Sequence, residues 1–469
     1  MVAMEKRKKK ITLNPYLLVI LSFILVIFIG AFILCMPFCQ NSGKWGNVID
    51  EVFVATSATC VTGLCAYKEG IAGQLTFAGH LVMIILIQIG GLGFITVLTF
   101  IVTLFKSKLQ FKNRFFLSQM VGSTNFADVV KFVRRLILIS FSVEGIGFLL
   151  GLPVFFHVYP NDPGKALWGA AFLSISAFNN AGFDLFGSTS VIPNSNEFMI
   201  AIGNGWAYYY LLSLIMLLIV AGGISFLVIT DIFSFKKPSQ WRVFTKIVLS
   251  TTAVLLVSGT LLLFFSDGLK KDGMTLFQCL FQSVTCRTAG YATYNQDNIS
   301  IAGKVISCIL MVIGGSPLST AGGIKTTTIF MIVLAMFCYF RGRPVVAFKR
   351  EYSSKMILKA MALMVIAGVT ILIGFLVMSA FESNLDTAAL GLSTDKSAAI
   401  VYELFSAFGT VGVTVGITPY LTVGSKITLC VLMFMGRLGP MTFLSLFQTN
   451  MNKEGSQHYQ YVEEDFLIG

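Results

Sequence analysis

Apolar residues run through this chain in blocks long enough to cross a bilayer core of about 30 Å: 15–36, 79–105, 136–156, 206–229, 247–265, 361–380 and 427–447. A further apolar region, 303–340, is too long for one regular span, since at 1.5 Å per residue it reaches about 57 Å as a helix. Between successive runs, on one side, lie shorter apolar stretches such as 49–59 and 166–178. They suit a helix and are far too short to span, so each reads as a segment that dips into the membrane and returns. Non-helical backbone at that depth is tolerated where protein buries it or water reaches it. The pattern predicts an all-α membrane protein of eight transmembrane helices and four re-entrant loops.

Each short stretch ends in a glycine-centred cluster: ATSATCVTGL (55–64), SISAFNNAGF (174–183), QSVTCRTAGY (282–291) and LFSAFGTVGV (404–413). Aligned on Gly63, Gly182, Gly290 and Gly412, the cluster recurs roughly every 110–120 residues, enough for one span out, a loop and one span in. Six residues earlier stand Ser57, Ser176, Val284 and Ser406, and one residue later Leu64, Phe183, Tyr291 and Val413. The chain therefore divides into pseudo-repeats over 1–110, 111–235, 236–345 and 346–469. Each is expected to be a span–pore loop–span unit, with the four units set around a central pore.

Composition agrees with this reading. Hydrophobic residues make up 55% and charged residues 12%, against roughly 25% charged in soluble domains. The net charge of +12 invites a nucleic-acid partner, and its distribution argues against one. Lys6 to Lys10, the segment 106–135, Lys236, Lys237, Arg242, Lys246, Arg341, Arg343, Lys349, Arg350, Lys355, Lys359 and Lys453 all fall on one side of the proposed membrane. By the positive-inside rule that side is the cytoplasm, which places both termini there in a multi-pass protein of the cell membrane. The basic start EKRKKK reads as a topogenic anchor, because the apolar run behind it is of span length and lacks a small-residue cleavage site. The 9 cysteines show no metal-ligand spacing, and His80, His157 and His458 are isolated. No catalytic constellation or nucleotide site is legible, so neither an enzyme nor an organic cofactor is expected.

The chemistry of the glycine clusters points to a cation. An ion leaving water needs oxygen ligands of comparable strength, and rings of backbone carbonyls supply them. Glycine permits the backbone angles that aim carbonyls at an axis and leaves no side chain in the way. The residues expected to line the path are Cys60, Val61, Thr62 and Gly63; Asn179, Asn180, Ala181 and Gly182; Arg287, Thr288, Ala289 and Gly290; and Gly409, Thr410, Val411 and Gly412. Glycines that merely let membrane helices pack closely are the competing reading. Arg287 is expected to give only its carbonyl to the path, its guanidinium turned back to clamp the loop, with Glu403 as the expected partner.

These clusters resemble the Trk/Ktr/HKT superfamily of cation transporters. TCVTGL, FNNAGFDLF, TCRTAGY and GTVGVT carry the likeness, together with GGSPLSTAGGIKTTT and GRLGP. It covers essentially the whole chain and is greatest to the bacterial Ktr membrane subunit. The resemblance implies K⁺ uptake, because the first filter position is Gly63 where some Na⁺-preferring plant members carry serine; Na⁺ is the second candidate ion. It also implies a homodimer in membrane lipid and a separate cytosolic ring of nucleotide-binding RCK-type subunits docked on the basic inner loops.

The long region 303–340 is interrupted by Gly314, Gly315, Ser316, Pro317, Ser319, Thr320, Gly322 and Gly323, followed by Lys325. A loop of small residues below a filter is suited to gating, which is also what the resemblance implies. Lys325 is expected to hold the loop through a carboxylate or carbonyl. GGIKT is not a phosphate loop, since isoleucine separates glycine from lysine. A broken helix is also the substrate site of many ion-coupled secondary transporters, driven by Na⁺ or H⁺, and that alternative stays open. Arg437, midway along the last run, is expected to face the pore as a positive barrier. Glu144, embedded in SFSVEGIGF, is expected to bond between helices.

Overall fold

A computed structural model describes residues 15–93, 126–187, 190–234, 237–270 and 273–439. The basic start, most of the segment 106–135, Lys236, Pro440 of GRLGP and everything beyond it, His458 and Lys453 included, lie outside the described residues.

The helices come in trios of long, short, long. The first trio is α1 (Pro15–Cys35), α2 (Val48–Thr59) and α3 (Phe77–Leu92); the second is α4 (Phe126–Val158), α5 (Pro163–Asn179) and α6 (Trp206–Gly223). The third is α7 (Val243–Leu263), α8 (Leu276–Thr285) and a last helix broken into α9 (Ile301–Val312) and α10 (Thr326–Phe340). The fourth is α11 (Ser354–Phe381), α12 (Lys396–Gly409) and α13 (Val423–Leu438). Val133–Val158, Trp206–Gly223, Val243–Gly268 and Ser354–Phe381 are long and apolar enough to cross a membrane, and Val19–Cys35, Phe77–Leu92, Ile301–Val312 and Thr326–Phe340 are shorter apolar helices. Large apolar side chains such as Leu149, Val257, Leu372 and Leu376 stand exposed on the long helices, where they belong against acyl chains.

Three of the four short helices start where small polar side chains satisfy their free N–H groups. Asn47 accepts from Ile49 on α2, Asp162 from Lys165 on α5 with Pro163 in the first turn, and Thr275 forms a reciprocal capping box with Gln278 on α8. Thr76, Ser300 and Thr422 cap α3, α9 and α13 in the same way. One expected run is shorter than its hydropathy suggested. The run over 206–229 stops as a helix at Gly223, and Ser225 caps a separate helix, Phe226–Ile232, because hydropathy does not register a glycine pair followed by a capping serine.

Each trio packs internally, and its last helix also packs on the short helix of the next trio: α3 on α5, α6 on α8, α9 on α12 and, closing the circuit, α13 on α2. Glycine allows the close approach. A methyl group at Gly90, Gly222 or Gly436 would stand 2.0, 1.7 or 2.0 Å from the carbonyl oxygen of Thr59, Phe178 or Phe408, near the end of a short helix.

Outside the spans the third and fourth trios are tied through Asp297. Its carboxylate accepts from the backbone N–H of Ser393 (2.7 Å) and Thr394 (2.9 Å) and from both hydroxyls, while Lys304 Nζ donates to the Asp297 carbonyl (2.8 Å) and to Thr394. Burial alone raises its pKa, but these bonds hold it below the usual value. The bracket therefore stabilises the fold above the unfolded-state pKa and is lost as pH falls through the lower folded value. Asp297→Ala is expected to cost about 2 kcal/mol, read as a lower midpoint of thermal unfolding at neutral pH.

Candidate ion pathway

The four glycine clusters share one backbone conformation. Two residues before each glycine, Val61, Asn180, Thr288 and Thr410 have φ of 56°, 60°, 82° and 51°, and Gly63, Gly182, Gly290 and Gly412 have φ of 102°, 69°, 85° and 93°. Left-handed backbone at four non-glycine residues costs energy, and local hydrogen bonds hold it in place. Thr62, Ala181 and Val411 each donate their N–H 2.8 Å back to the carbonyls of Ser57, Ser176 and Ser406. Ser57 and Ser406 accept from the N–H of Gly63 and Gly412 (3.1 and 3.0 Å), while Ser176 donates to the carbonyl of Phe183 (2.6 Å). In the third cluster Ala289 reaches Thr285 (2.9 Å), and the Thr285 hydroxyl donates to the Tyr291 carbonyl (2.7 Å). The hydroxyl function has moved by one residue, which is why Val284 broke the serine pattern in the sequence.

The glycines meet one another in chain order. A methyl at Gly63 would stand 2.7 Å from the Ala181 carbonyl oxygen, one at Gly182 2.5 Å from that of Ala289, one at Gly290 2.6 Å from that of Val411, and one at Gly412 2.1 Å from that of Thr62. The circuit closes on itself. Tyr291 reinforces it between clusters, its hydroxyl contacting Ser176 Oγ (3.0 Å) and the Phe183 carbonyl (3.3 Å). All four glycines line one cavity of 340 Å³, together with residues of the segments that follow them.

The first residue of each expected lining quartet belongs to a helix end. Asn179 and Gly409 close α5 and α12, Cys60 caps α2, and Arg287 follows the cap of α8. Asn179 turns its amide away, to Gln88 Oε1 and to Glu144 Oε1 (both 3.0 Å). Gln88 Nε2 donates to the same carboxylate at 3.0 and 3.2 Å, so Glu144 joins α3, α4 and α5. The expected Arg287–Glu403 pair does not form. Glu403 accepts from the hydroxyls of Thr414 and Thr418 in its own repeat, and Arg287 Nη2 donates to the Gly314 carbonyl at 3.4 Å. Arg287 thus holds its loop to the broken helix, not to the neighbouring short helix.

The interruption between α9 and α10 lies against the inner side of this circuit. Its neck is closed by Gly314 N–H to the Ile324 carbonyl (2.9 Å) and Ile324 N–H to that of Val312 (3.1 Å). Ser316, Thr320 and Gly323 donate their N–H groups to the carbonyls of Gly223 (3.1 Å), Gly222 (3.2 Å) and Gly436 (3.2 Å). The Thr320 hydroxyl reaches the Phe178 carbonyl (3.2 Å), and a methyl at Gly322 would stand 2.1 Å from Thr410 Oγ1. Lys325 folds back on the loop and donates to the carbonyls of Ala321 (2.7 Å) and Gly322 (3.4 Å). Arg437 donates to the carbonyls of Thr320, Gly90 and Gly91, joining loop, first trio and fourth trio.

A second repeat signal went unread in the sequence. Gly90-Gly91, Gly314-Gly315 and Gly436-Arg437 follow their cluster glycines by 24–27 residues, and Gly222-Gly223 follows Gly182 by 40. Arg437 therefore stands where the other three repeats carry a second glycine, and an alignment extended beyond the clusters would have singled it out.

The family model described as TrkH, cation transport protein, matches residues 3–459. The potassium/sodium uptake protein NtpJ of Enterococcus hirae is 33% identical over 479 residues, covering 100% of both chains. The Ktr system potassium uptake protein B of Bacillus subtilis is 33% identical over 451 residues, covering 94% of this chain and 95% of that one. The crystal structure of the potassium transporter TrkH from Vibrio parahaemolyticus shares the fold, with a TM-score of 0.68 at 17% identity over 94% of this chain and 86% of that one. The protein is a multi-pass membrane protein, and it belongs to the TrkH cation-transport family, within the Trk/Ktr superfamily.

Proposed function

We propose that the chain takes up K⁺ through a pore on the axis of its four repeats, each a span–pore loop–span unit. One observation carries this reading: four glycines of left-handed φ, one per repeat, touch in a closed circuit and line a common outer cavity. Carbonyls of the residues just before the glycines then replace the ion's water. The printed names of the relatives support K⁺ as the cargo, with Na⁺ as a second ion. A negative-inside potential contributes roughly 2.3 kcal/mol per 100 mV per charge, enough to accumulate a monovalent cation.

The loop 314–325, with Lys325 and Arg437, is the gate. It closes the inner side because its N–H groups and those of Arg437 occupy carbonyls from three other repeats. Control comes from a separate cytosolic RCK-type ring on the basic inner loops of a homodimer, with both termini cytoplasmic; relatives named as parts of a Ktr system support a multi-component assembly.

The test is Rb⁺ flux into liposomes containing the full chain under an imposed negative-inside potential. Uptake should follow the potential, with K⁺ competing better than Na⁺. Flux that requires a fixed stoichiometry of cotransported Na⁺ or H⁺ would instead favour an ion-coupled transporter working at the broken helix.

A further inference from the structure

The residue two places beyond each filter glycine occupies an equivalent position in the four repeats: Cys65, Asp184, Ala292 and Thr414. All four line the outer cavity together with the glycines. At this level the lining differs from repeat to repeat: a cysteine, an aspartate, an alanine and a threonine. The fourfold backbone is matched by a onefold charge.

Asp184 is fixed in place. Its Oδ1 accepts from the Phe186 N–H (3.0 Å), the Ser190 side chain bonds it as well, and it is only 7% exposed. The other charged side chain lining the cavity, Lys68, is drawn onto the face of Tyr420, with Nζ 5.0 Å from the ring centroid.

We propose that Asp184 is a specificity and affinity determinant of the outer vestibule, concentrating monovalent cations above the filter and making uptake sensitive to external acidity. The proposal rests on the pore reading above and adds a cation-attracting station to it. A carboxylate in a cavity with low-dielectric walls focuses its field on the opening.

The acidity follows from the same burial, which pushes the Asp184 pKa up to about 6 against the opposing bonds from Ser190 and Phe186. Of the titratable groups facing it, the Cys65 thiol is pushed by burial up to about 12, and burial likewise lifts the Tyr291 phenol far above its usual range. Neither changes charge between mild acid and neutrality. Glu403, behind Thr414, and Glu51 are buried and capped by Thr414 and Thr418 and by Tyr67 and Gln40; burial pushes the pKa of each up to about 7, so it is the difference between wild type and Asp184→Asn that assigns the acidity to Asp184. Above its pKa Asp184 sets a negative charge in a cavity whose other charged lining residue is Lys68; below it that negative charge is gone.

The experiment is Rb⁺ uptake into liposomes by wild type, Asp184→Asn and Asp184→Glu, with KM and maximal rate measured at low ionic strength. Asp184→Asn should raise KM about fivefold with the maximal rate little changed, and added inert salt should close the gap by screening. Asp184→Glu should stay near wild type. Wild-type KM should rise as external pH falls from about 7.5 to about 5, and Asp184→Asn should not follow it. Equal KM for wild type and Asp184→Asn, a gap indifferent to salt, or a wild-type KM flat with pH would each overturn the vestibule role while leaving the pore intact. Absence of potential-driven Rb⁺ uptake in wild type would overturn both.

Discussion

Gly182→Ala should cut K⁺ flux at least about tenfold, equivalent to about 1.4 kcal/mol on the barrier, and should weaken discrimination against Na⁺. Two independent effects converge. At φ +69° an alanine pays about 1–2 kcal/mol that glycine does not. Its methyl would also stand 2.5 Å from the Ala289 carbonyl oxygen and 2.8 Å from the Gly290 Cα. Both contacts are backbone, so neither yields by a change of rotamer. The third loop must shift, and with it the carbonyl that the proposed pore uses to replace the ion's water. Gly145→Ala is the matched control, since nothing lies within 4 Å of a methyl there, and its flux should be unchanged. Rb⁺ flux with Na⁺ competition reads both variants. Equal flux for Gly182→Ala and wild type would remove the four-glycine circuit from the conduction path.

What the sequence made legible follows from what glycine uniquely supplies. The four cluster glycines have positive φ and a backbone carbonyl oxygen 2.1–2.7 Å from where a methyl would stand, so a side chain is strained there and the repeat stands out through otherwise divergent loops. Features that depend on partners from distant repeats were not legible. Arg287 and Glu403 look complementary as residue types, but Thr414 and Thr418 satisfy the carboxylate locally, and the end of α8 directs the guanidinium toward Gly314. The third cluster appeared to lack its serine because Thr285 performs the bond one residue later. The interruption after α9 was visible as excess apolar length. Its fastening was not, because Gly222, Gly223 and Gly436 offer backbone carbonyls that carry no residue-specific signal. Asp184 stands within FNNAGFDLF, and only the fold sets it beside Cys65, Ala292 and Thr414 in the lining of one cavity.

Arg437→Ala should raise K⁺ flux about tenfold, equivalent to about 1.4 kcal/mol off the barrier. The guanidinium joins Thr320 of the interrupting loop to Gly90 and Gly91 of the first trio, which in the proposed pore spans the inner side and adds a fixed positive charge there. Alanine removes tether and charge together, and lysine separates them. An ammonium keeps the charge but lacks the planar fork that reaches carbonyls on two separate segments, so Arg437→Lys should raise flux by less than alanine does. Deleting 316–323 removes the loop to which the tether is fastened and should also raise flux. If Arg437 acts through that loop, adding Arg437→Ala to the deletion should give no further increase beyond the loss of the charge, because residues in one network are not additive. A full multiplicative gain in the combined variant would show that arginine and loop obstruct the ion separately, and a fall in flux on Arg437→Ala in well-folded protein would contradict the barrier itself.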